Sequence, residues 1–161
     1  MKILGIDPGY SLVGYAVINV NSNNFSLLES GIIDTSNEKD FNTKLSLISQ
    51  KIEELIQKHN PSKMFIEELF FNKNVKTGIK VAQAVGVIKI KAIEKEIEIE
   101  EITPLEVKKY ITGTKGKHPK VQIQNLVRII LGLNEDIKPD DVADAIAIGI
   151  AGFIKSQSPL K

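Results

Sequence analysis

The first candidate for chemistry is Asp7. It follows an apolar stretch, residues 2–6, that predicts a buried strand, and it precedes the turn-forming pair Pro8-Gly9. A carboxylate at the end of a core strand is fixed at its base and open at its tip. The same residues are also ordinary turn chemistry, in which an Asp side chain bonds its own backbone. The sequence around Asp7 therefore leaves a catalytic and a turn-forming role open.

Glu67 is placed in a similar way. Residues 63–69 predict another strand, and Glu67 falls at its carboxyl end. An amphipathic helix is predicted before it, over residues 41–60, and a helical crossover lays this strand beside the first one. Two neighbouring strand ends then carry carboxylates. Glu68 points to the opposite face of the sheet and is therefore not a candidate for this group of acids.

A further pair of acids, Asp141 and Asp144, lies three residues apart on the last predicted helix and points along one face. The helix dipole favours an acid near the amino end by about 0.3–1 kcal/mol, which accounts for Asp140 or Asp141. It does not account for Asp144, which is bordered by apolar residues. A carboxylate there requires a cation, and either a Lys or a metal ion would serve.

If the last helix packs beside the central strands, Asp7, Glu67, Asp141 and Asp144 meet in one cleft. An all-oxygen cluster without His or Cys suits Mg²⁺ or Mn²⁺ better than Zn²⁺. Two such ions, about 4 Å apart, activate a water and stabilise the leaving oxygen in phosphodiester hydrolysis. The acids therefore predict metal-dependent phosphate chemistry.

Length and composition set the class of protein. The 161 residues suit one domain spanning residues 1–161, with enough chain for a core without disulfides. No cysteine is present, which fits a reducing compartment, and we expect the cytoplasm. The longest late apolar run, residues 142–154, contains Asp144 and is too short to span a bilayer. We therefore expect no membrane partner.

Charge is distributed unevenly along the chain. The net charge is +1, yet residues 72–128 carry 12 basic and 6 acidic side chains, a net of +6. The flanking residues 1–71 and 129–161 have nets of −3 and −2. This predicts a cationic surface beside an acidic centre. The alternative is that the lysines of residues 73–91 only solubilise one helix face.

Periodicity predicts an α/β fold built on a five-stranded mixed sheet flanked by helices. Three early strands joined by short turns form an antiparallel meander, and two later strands are parallel. The predicted strands are residues 2–6, 15–20, 25–33, 63–69 and 96–102. The predicted helices are residues 41–60, 77–93, 104–112, 119–131 and 140–153.

Three local features refine these helices. Gly86, in the middle of its helix, predicts a close helix crossing, because glycine there is unfavourable by roughly 1 kcal/mol relative to Ala. Residues 103–106 form a capping box, and Gly113 ends the helix that it opens. Asp140 is expected to cap the last helix.

Several different short motifs follow one another from the first residue to about residue 150. They are Gly5-Ile6-Asp7-Pro8-Gly9, Gly14-Tyr15-Ala16-Val17, Ile66-Glu67-Glu68 through Phe71, Lys73-Asn74, Gln83-Ala84, Gly86-Val87 and Asp141-Val142-Ala143-Asp144-Ala145-Ile146-Ala147. Together they closely resemble the bacterial RuvC-type Holliday junction resolvases. One such motif alone is weak evidence, whereas all of them in register are highly specific.

The resemblance implies a ribonuclease H-like fold, a homodimer and Mg²⁺-dependent paired nicking of four-way junction DNA. From the chemistry of the acids we expect two ions per site, with Mn²⁺ able to substitute for Mg²⁺. By resemblance, Asp7 and Glu67 are the first and second catalytic, metal-binding acids, and Asp141 and Asp144 are the pair on the last helix. A branch-migration motor complex is a further partner that the family brings into consideration.

The resemblance also implies DNA contacts. Phe70 matches the aromatic residue that meets the junction centre, although an aromatic pair after a strand is otherwise typical of a core, and Phe71 keeps that interpretation. Lys120 matches a lysine near the scissile phosphate, and Lys108 matches another DNA-contacting lysine. The other basic residues expected to contact DNA are Lys73, Lys76, Lys115 and Lys117.

The loop over residues 113–120 departs from the family pattern, because it is one residue longer and holds Lys117-His118-Pro119. His118 has the chemistry of a proton carrier or metal ligand, but a lone His in a basic loop is typical of polar surface.

Three other functions stay open. The opening at residues 5–9 also resembles the phosphate loop of actin-like ATPases, but those proteins need two lobes to enclose a nucleotide. A nuclease of the same fold acting on RNA or another branched DNA would share the chemistry. A binding module with a vestigial site would not require four acids in register.

Overall fold

The structure is a computed structural model and describes residues 1–22, 24–69, 75–114, 116 and 118–158. Its strands are β1 (Lys2–Asp7), β2 (Leu12–Asn21), β3 (Asn24–Asp34), β4 (Lys63–Glu67) and β5 (Glu98–Ile102). Its helices are α1 (Phe41–His59), α2 (Val75–Ile93), α3 (Pro104–Thr112), α4 (Lys120–Ile130) and α5 (Asp140–Gln157).

The strands form one mixed sheet in the order β3-β2-β1-β4-β5. β1, β2 and β3 pair antiparallel, whereas β4 runs parallel to β1 and β5 runs parallel to β4. α1 lies between β3 and β4 in the chain and forms the crossover that was expected. The predicted sheet of three antiparallel and two parallel strands is confirmed.

The sheet separates two apolar layers, because successive side chains of a strand point to opposite faces. In β1, Leu4 and Ile6 pack in the layer of α1 and α2, whereas Ile3 packs in the layer of α5. Asp7 follows the same alternation as Ile3. Its carboxylate therefore lies on the face of the sheet that α5 covers.

The helix α5 lies against the backbone of β1 and β2. A Cβ atom on Gly5 would overlap the carbonyl oxygen of Ala145 and lie 2.8 Å from the backbone nitrogen of Gly149. A Cβ atom on Gly14 would overlap the carbonyl oxygen of Asp141. Only glycine permits this approach, and it brings the first turns of α5 onto the sheet.

The ends of two helices test the predicted caps. Thr103 and Glu106 form the predicted capping box of α3, and Gly113 follows that helix with φ 72°. The prediction that Asp140 caps α5 is wrong, because Pro139 occupies the cap position and Asp140 is the first helical residue. The side chain of Asp140 is therefore available for contacts outside its own helix.

The close helix crossing predicted at Gly86 is not made within the part of the chain that the structure describes. A Cβ atom there would meet nothing within 4 Å. Gly86 lies on an exposed face of α2 with Ile79 and Ile90, which are 54% and 47% exposed.

Within the described ranges, no helix combines the length and apolarity needed to cross a membrane.

We predict that Gly5→Ala lowers the free energy of unfolding by roughly 1–3 kcal/mol, because the added methyl group overlaps the Ala145 carbonyl. Urea unfolding measures the change. The control is Gly116→Ala, whose methyl group would be 3.6 Å from His118 in an exposed loop. The control should stay within about 0.5 kcal/mol of the wild type. An unchanged unfolding midpoint for Gly5→Ala would contradict the close packing of α5.

Candidate functional site

Asp7 and Glu67 lie side by side at one edge of the sheet. Asp7 is the last residue of β1, and Glu67 is the last residue of β4. These strands are parallel with Ile6 in register with Ile66, so the two acids end neighbouring strands at the same level. Phe65 packs in the layer of α5, and Glu67, two residues later, lies on the same face.

The acids of α5 reach this edge because the helix begins there. The carbonyl oxygen of Asp141 lies against Gly14, which is paired with Asp7 in the register of β1 and β2. Asp144 lies one turn further along and lines a cleft together with Asp7 and Glu67. Asp141 is not part of this lining among the described residues, although its charge acts on Asp7.

The cleft has a volume of about 200 Å³. Lys108 of α3 and Lys120 of α4 line it, so both lysines that were matched to DNA contacts border the same cleft as the acids. Its apolar wall was not predicted and consists of Pro104, Val107, Ile123, Ala147 and Ile148. Helical periodicity indicates that such residues face inward, but it does not indicate that they border a cleft.

The carboxyl of Asp7 is strongly perturbed. Burial and, after it, the negative charges of Glu67, Asp144 and Asp141 together raise its pKa from 3.8 to about 7, against the opposing charge of Lys120. A turn residue bonded to its own backbone would have a lowered pKa, because hydrogen bonds to a carboxylate favour the charged form. The electrostatics of Asp7 thus favour the catalytic over the turn-forming role.

Glu67 follows the same pattern. Burial and then the charge of Asp144 raise its pKa, while Lys120 and Lys108 lower it. In the part of the chain that the structure describes, no three carboxylate or imidazole groups are already gathered as a metal site. The fit to a divalent cation rests on the donors, which are all hard oxygens, and on the raised pKa values of Asp7 and Glu67, which a nearby cation would lower.

Lys120 supplies the cation that Asp144 was expected to need. Its Nζ lies 2.7 Å from Oδ2 of Asp144 and 3.3 Å from Oδ2 of Asp140. Burial lowers the pKa of Lys120, but the bond and charge of Asp144 and then Asp140 more than offset this, so its pKa is raised. The ammonium is therefore charged and lies at the edge of the acid cluster.

The remaining predicted residues lie elsewhere. Lys76 is exposed in the first turn of α2 and does not belong to the described lining of the cleft. His118 contacts the hydroxyls of Thr112 and Thr114 at 3.2 and 3.1 Å and the amide oxygen of Gln122 at 3.2 Å. The predicted residues outside the described part of the chain are Phe70, Phe71, Lys73, Lys115 and Lys117.

Comparison with known sequences identifies one family. The family profile described as "Crossover junction endodeoxyribonuclease RuvC" matches residues 3–152. RuvC of Halothermothrix orenii is 45% identical over 150 residues, which are 93% of this chain and 90% of that protein. RuvC of Finegoldia magna is 42% identical over 157 residues, which are 98% of this chain and 95% of that protein.

Comparison with solved structures agrees. The structure titled "T. thermophilus RuvC in complex with Holliday junction substrate" matches with a TM-score of 0.92 and 28% identity, over 98% of this chain and 95% of that chain. A yeast mitochondrial Holliday junction resolvase, at 17% identity, shares the fold with a TM-score of 0.65. The predicted ribonuclease H-like fold is thus confirmed. Because the family profile and both relatives span nearly the whole sequence, this chain belongs to the RuvC family of crossover junction endodeoxyribonucleases.

Proposed function

We propose that this protein is a structure-selective endonuclease that resolves four-way DNA junctions in recombination and repair. The observation that carries the proposal is that Asp7, Glu67 and Asp144 line one cleft with Lys108 and Lys120. Metal-dependent hydrolysis of a phosphodiester uses both kinds of side chain, since carboxylates bind the cations and lysines bind the phosphates. The names of the relatives support junction DNA as the substrate. The proposed compartment is the cytoplasm.

Asp7, Glu67, Asp141 and Asp144 are the proposed catalytic residues and would hold Mg²⁺, as two ions per site, with Mn²⁺ able to substitute. Divalent ions bound there would act as Lewis acids on the phosphodiester. Strand ends fix Asp7 and Glu67, and the packed helix α5 fixes Asp141 and Asp144. Rigid elements position all four side chains, which is what precise orientation of reacting groups requires.

The lysines and the apolar wall complete the proposed site. Lys108 and Lys120 would bind the phosphates beside the scissile bond, and cutting would leave 5'-phosphate and 3'-hydroxyl ends. The apolar side chains of Val107, Ile123 and Ile148 form part of the wall beside the acids. A wall without polar groups limits the water around the carboxylates, which strengthens their interaction with cations.

We also propose a homodimer formed through the outer face of α2, because two symmetric cuts require two identical sites. Val75, Ile79, Ile90 and Ile93 are exposed and recur at helical spacing along this face, with Gly86 between them. The missing side chain of Gly86 leaves room for close approach of a second backbone. A twofold interface of this kind holds two clefts at a constant separation.

Replacing Asp7 should separate cutting from binding. We predict that Asp7→Asn slows junction cleavage at least about 100-fold, because a metal ligand is lost. Affinity for a synthetic four-way junction should be unchanged or tighter, because one negative charge is removed from the cleft. Ca²⁺ in place of Mg²⁺ should likewise permit binding without cutting. Gel-shift and cleavage assays on the same junction measure both.

The matched control for Asp7 is Glu68→Gln, which removes a charge from an exposed residue that does not line the described cleft. This variant should cut at the wild-type rate. A linear duplex and an RNA–DNA hybrid complete the assay. If Asp7→Asn cuts the junction at the wild-type rate, Asp7 is not a metal ligand. If the wild type prefers the RNA–DNA hybrid, the hybrid and not junction DNA is the substrate.

The dimer is tested by Ile90→Glu and by Ile79→Glu. Each charge should separate the protomers, because burial of an unpaired carboxylate is unfavourable by several kcal/mol. The monomers should stay folded, and they should lose paired cutting of a cruciform plasmid far more than they lose stability. Leu28→Glu on β3 is the control, since Leu28 is 45% exposed and lies away from α2. An Ile90→Glu protein that sediments as a dimer, or a monomer that still makes coordinated cuts, would reject this interface.

A further inference from the structure

Asp140 connects the cleft to α4. Its Oδ1 accepts a hydrogen bond from Nε2 of Gln124 at 3.0 Å, and its Oδ2 lies 3.3 Å from Nζ of Lys120. The same ammonium lies 2.7 Å from Oδ2 of Asp144. One Lys120 is therefore shared by two carboxylates of α5. Asp144 lines the cleft, whereas Asp140 is not part of its described lining and reaches it through Lys120.

The local sequence explains this bridge. Gln124 follows Lys120 by four residues, so both side chains project from the same side of α4. Pro139 takes the cap position of α5, and no side-chain cap bond is made there. Asp140 is thus able to reach across to α4. Gln124 holds one carboxylate oxygen, and this directs the other oxygen toward Lys120.

Lys120 needs this second partner when the cleft is loaded. In the proposed function, Asp144 binds a divalent cation, which competes with the Lys120 ammonium for the same carboxylate. A lysine has a flexible stem and adopts many rotamers when nothing holds its end. Asp140 stays within reach of the ammonium, because its other oxygen is bonded to Gln124.

We propose that Asp140, oriented by Gln124, is a positioning residue that keeps the Lys120 ammonium at the cleft while Asp144 binds a cation. This inference rests on the proposed function, since it takes Asp144 as a metal ligand and Lys120 as the lysine beside the scissile phosphate. Asp140 acts only through Lys120 and touches neither the cation nor the DNA.

Single-turnover cleavage of a four-way junction tests the kinetic consequence. Asp140→Ala should slow the cutting step about fivefold, with junction affinity changed by less than about twofold, because orientation is lost but binding is not. Asp140→Asn keeps the size of the side chain without its charge and should slow cutting similarly. Asp136→Ala removes an exposed acid from the preceding loop and is the matched control. Cutting by both Asp140 variants at the wild-type rate would overturn the proposal.

A double-mutant cycle distinguishes positioning from a general loss of charge. Lys120→Ala alone should slow cutting by at least as much as Asp140→Ala. In the Lys120→Ala background, the change at Asp140 should have less than about a twofold effect, because residues that act as a unit are not additive. The same slowing by Asp140→Ala in both backgrounds would show that Asp140 acts independently of Lys120 and would overturn the proposal.

Lysine ammonium NMR tests the contact without any activity. On titration with Mg²⁺ alone, the Lys120 ammonium signal should persist in the wild type and in Asp136→Ala, but broaden or disappear in both Asp140 variants. A signal that persists equally in all four proteins would overturn the proposal. If the four proteins show the expected signals but the wild type cuts no junction, the proposed function is overturned, whereas the contact between Asp140 and Lys120 stands.

Discussion

The first turns of α5 lie on the backbone of β1 and β2 with no side chain between them, since glycine at positions 5 and 14 leaves the carbonyls of Ala145 and Asp141 in contact with the strands. The other functional features depend on this contact. It brings the acids of α5 to the level at which β1 and β4 end. Any larger residue at these two positions would move the helix and separate the acids.

The packing also creates the electrostatic problem that defines the site. Acids gathered at a partly buried sheet edge repel one another and lose hydration, which is why burial and neighbouring charges raise the pKa of Asp7 to about 7. Lys120 relieves part of this repulsion through Asp144. In the proposed function, divalent cations balance the remaining negative charge, and the same cations serve the reaction on phosphate. In this account, stability is given up at the site where function needs charge.

The sequence predicts contacts along regular elements better than contacts between distant ones. Asp7 and Glu67 were predictable, because a period of two and a parallel crossover place both strand ends on one face. The contact between Lys120, Asp140 and Gln124 was not predicted, because it depends on how α4 meets α5, and the rule that Asp caps helices suggested a different role for Asp140. Gly86 is a related case. Glycine in a helix indicates close approach, but not whether the neighbour belongs to the same chain.

The pH dependence of stability tests the central claim, that uncompensated charge at Asp7 is what a cation relieves. The pKa of Asp7 is 3.8 in the unfolded chain and about 7 in the folded protein. Between these pH values the unfolded chain therefore releases a proton that the folded protein keeps. Without metal, the free energies of unfolding of Asp7→Asn and of the wild type should differ least below about pH 4. Between pH 4 and 7 the wild type should become less stable than Asp7→Asn by up to roughly 4 kcal/mol. Mg²⁺ at pH 8 should then stabilise the wild type more than the variant. A stability difference that is constant with pH, or Mg²⁺ stabilising both proteins equally, would contradict the account.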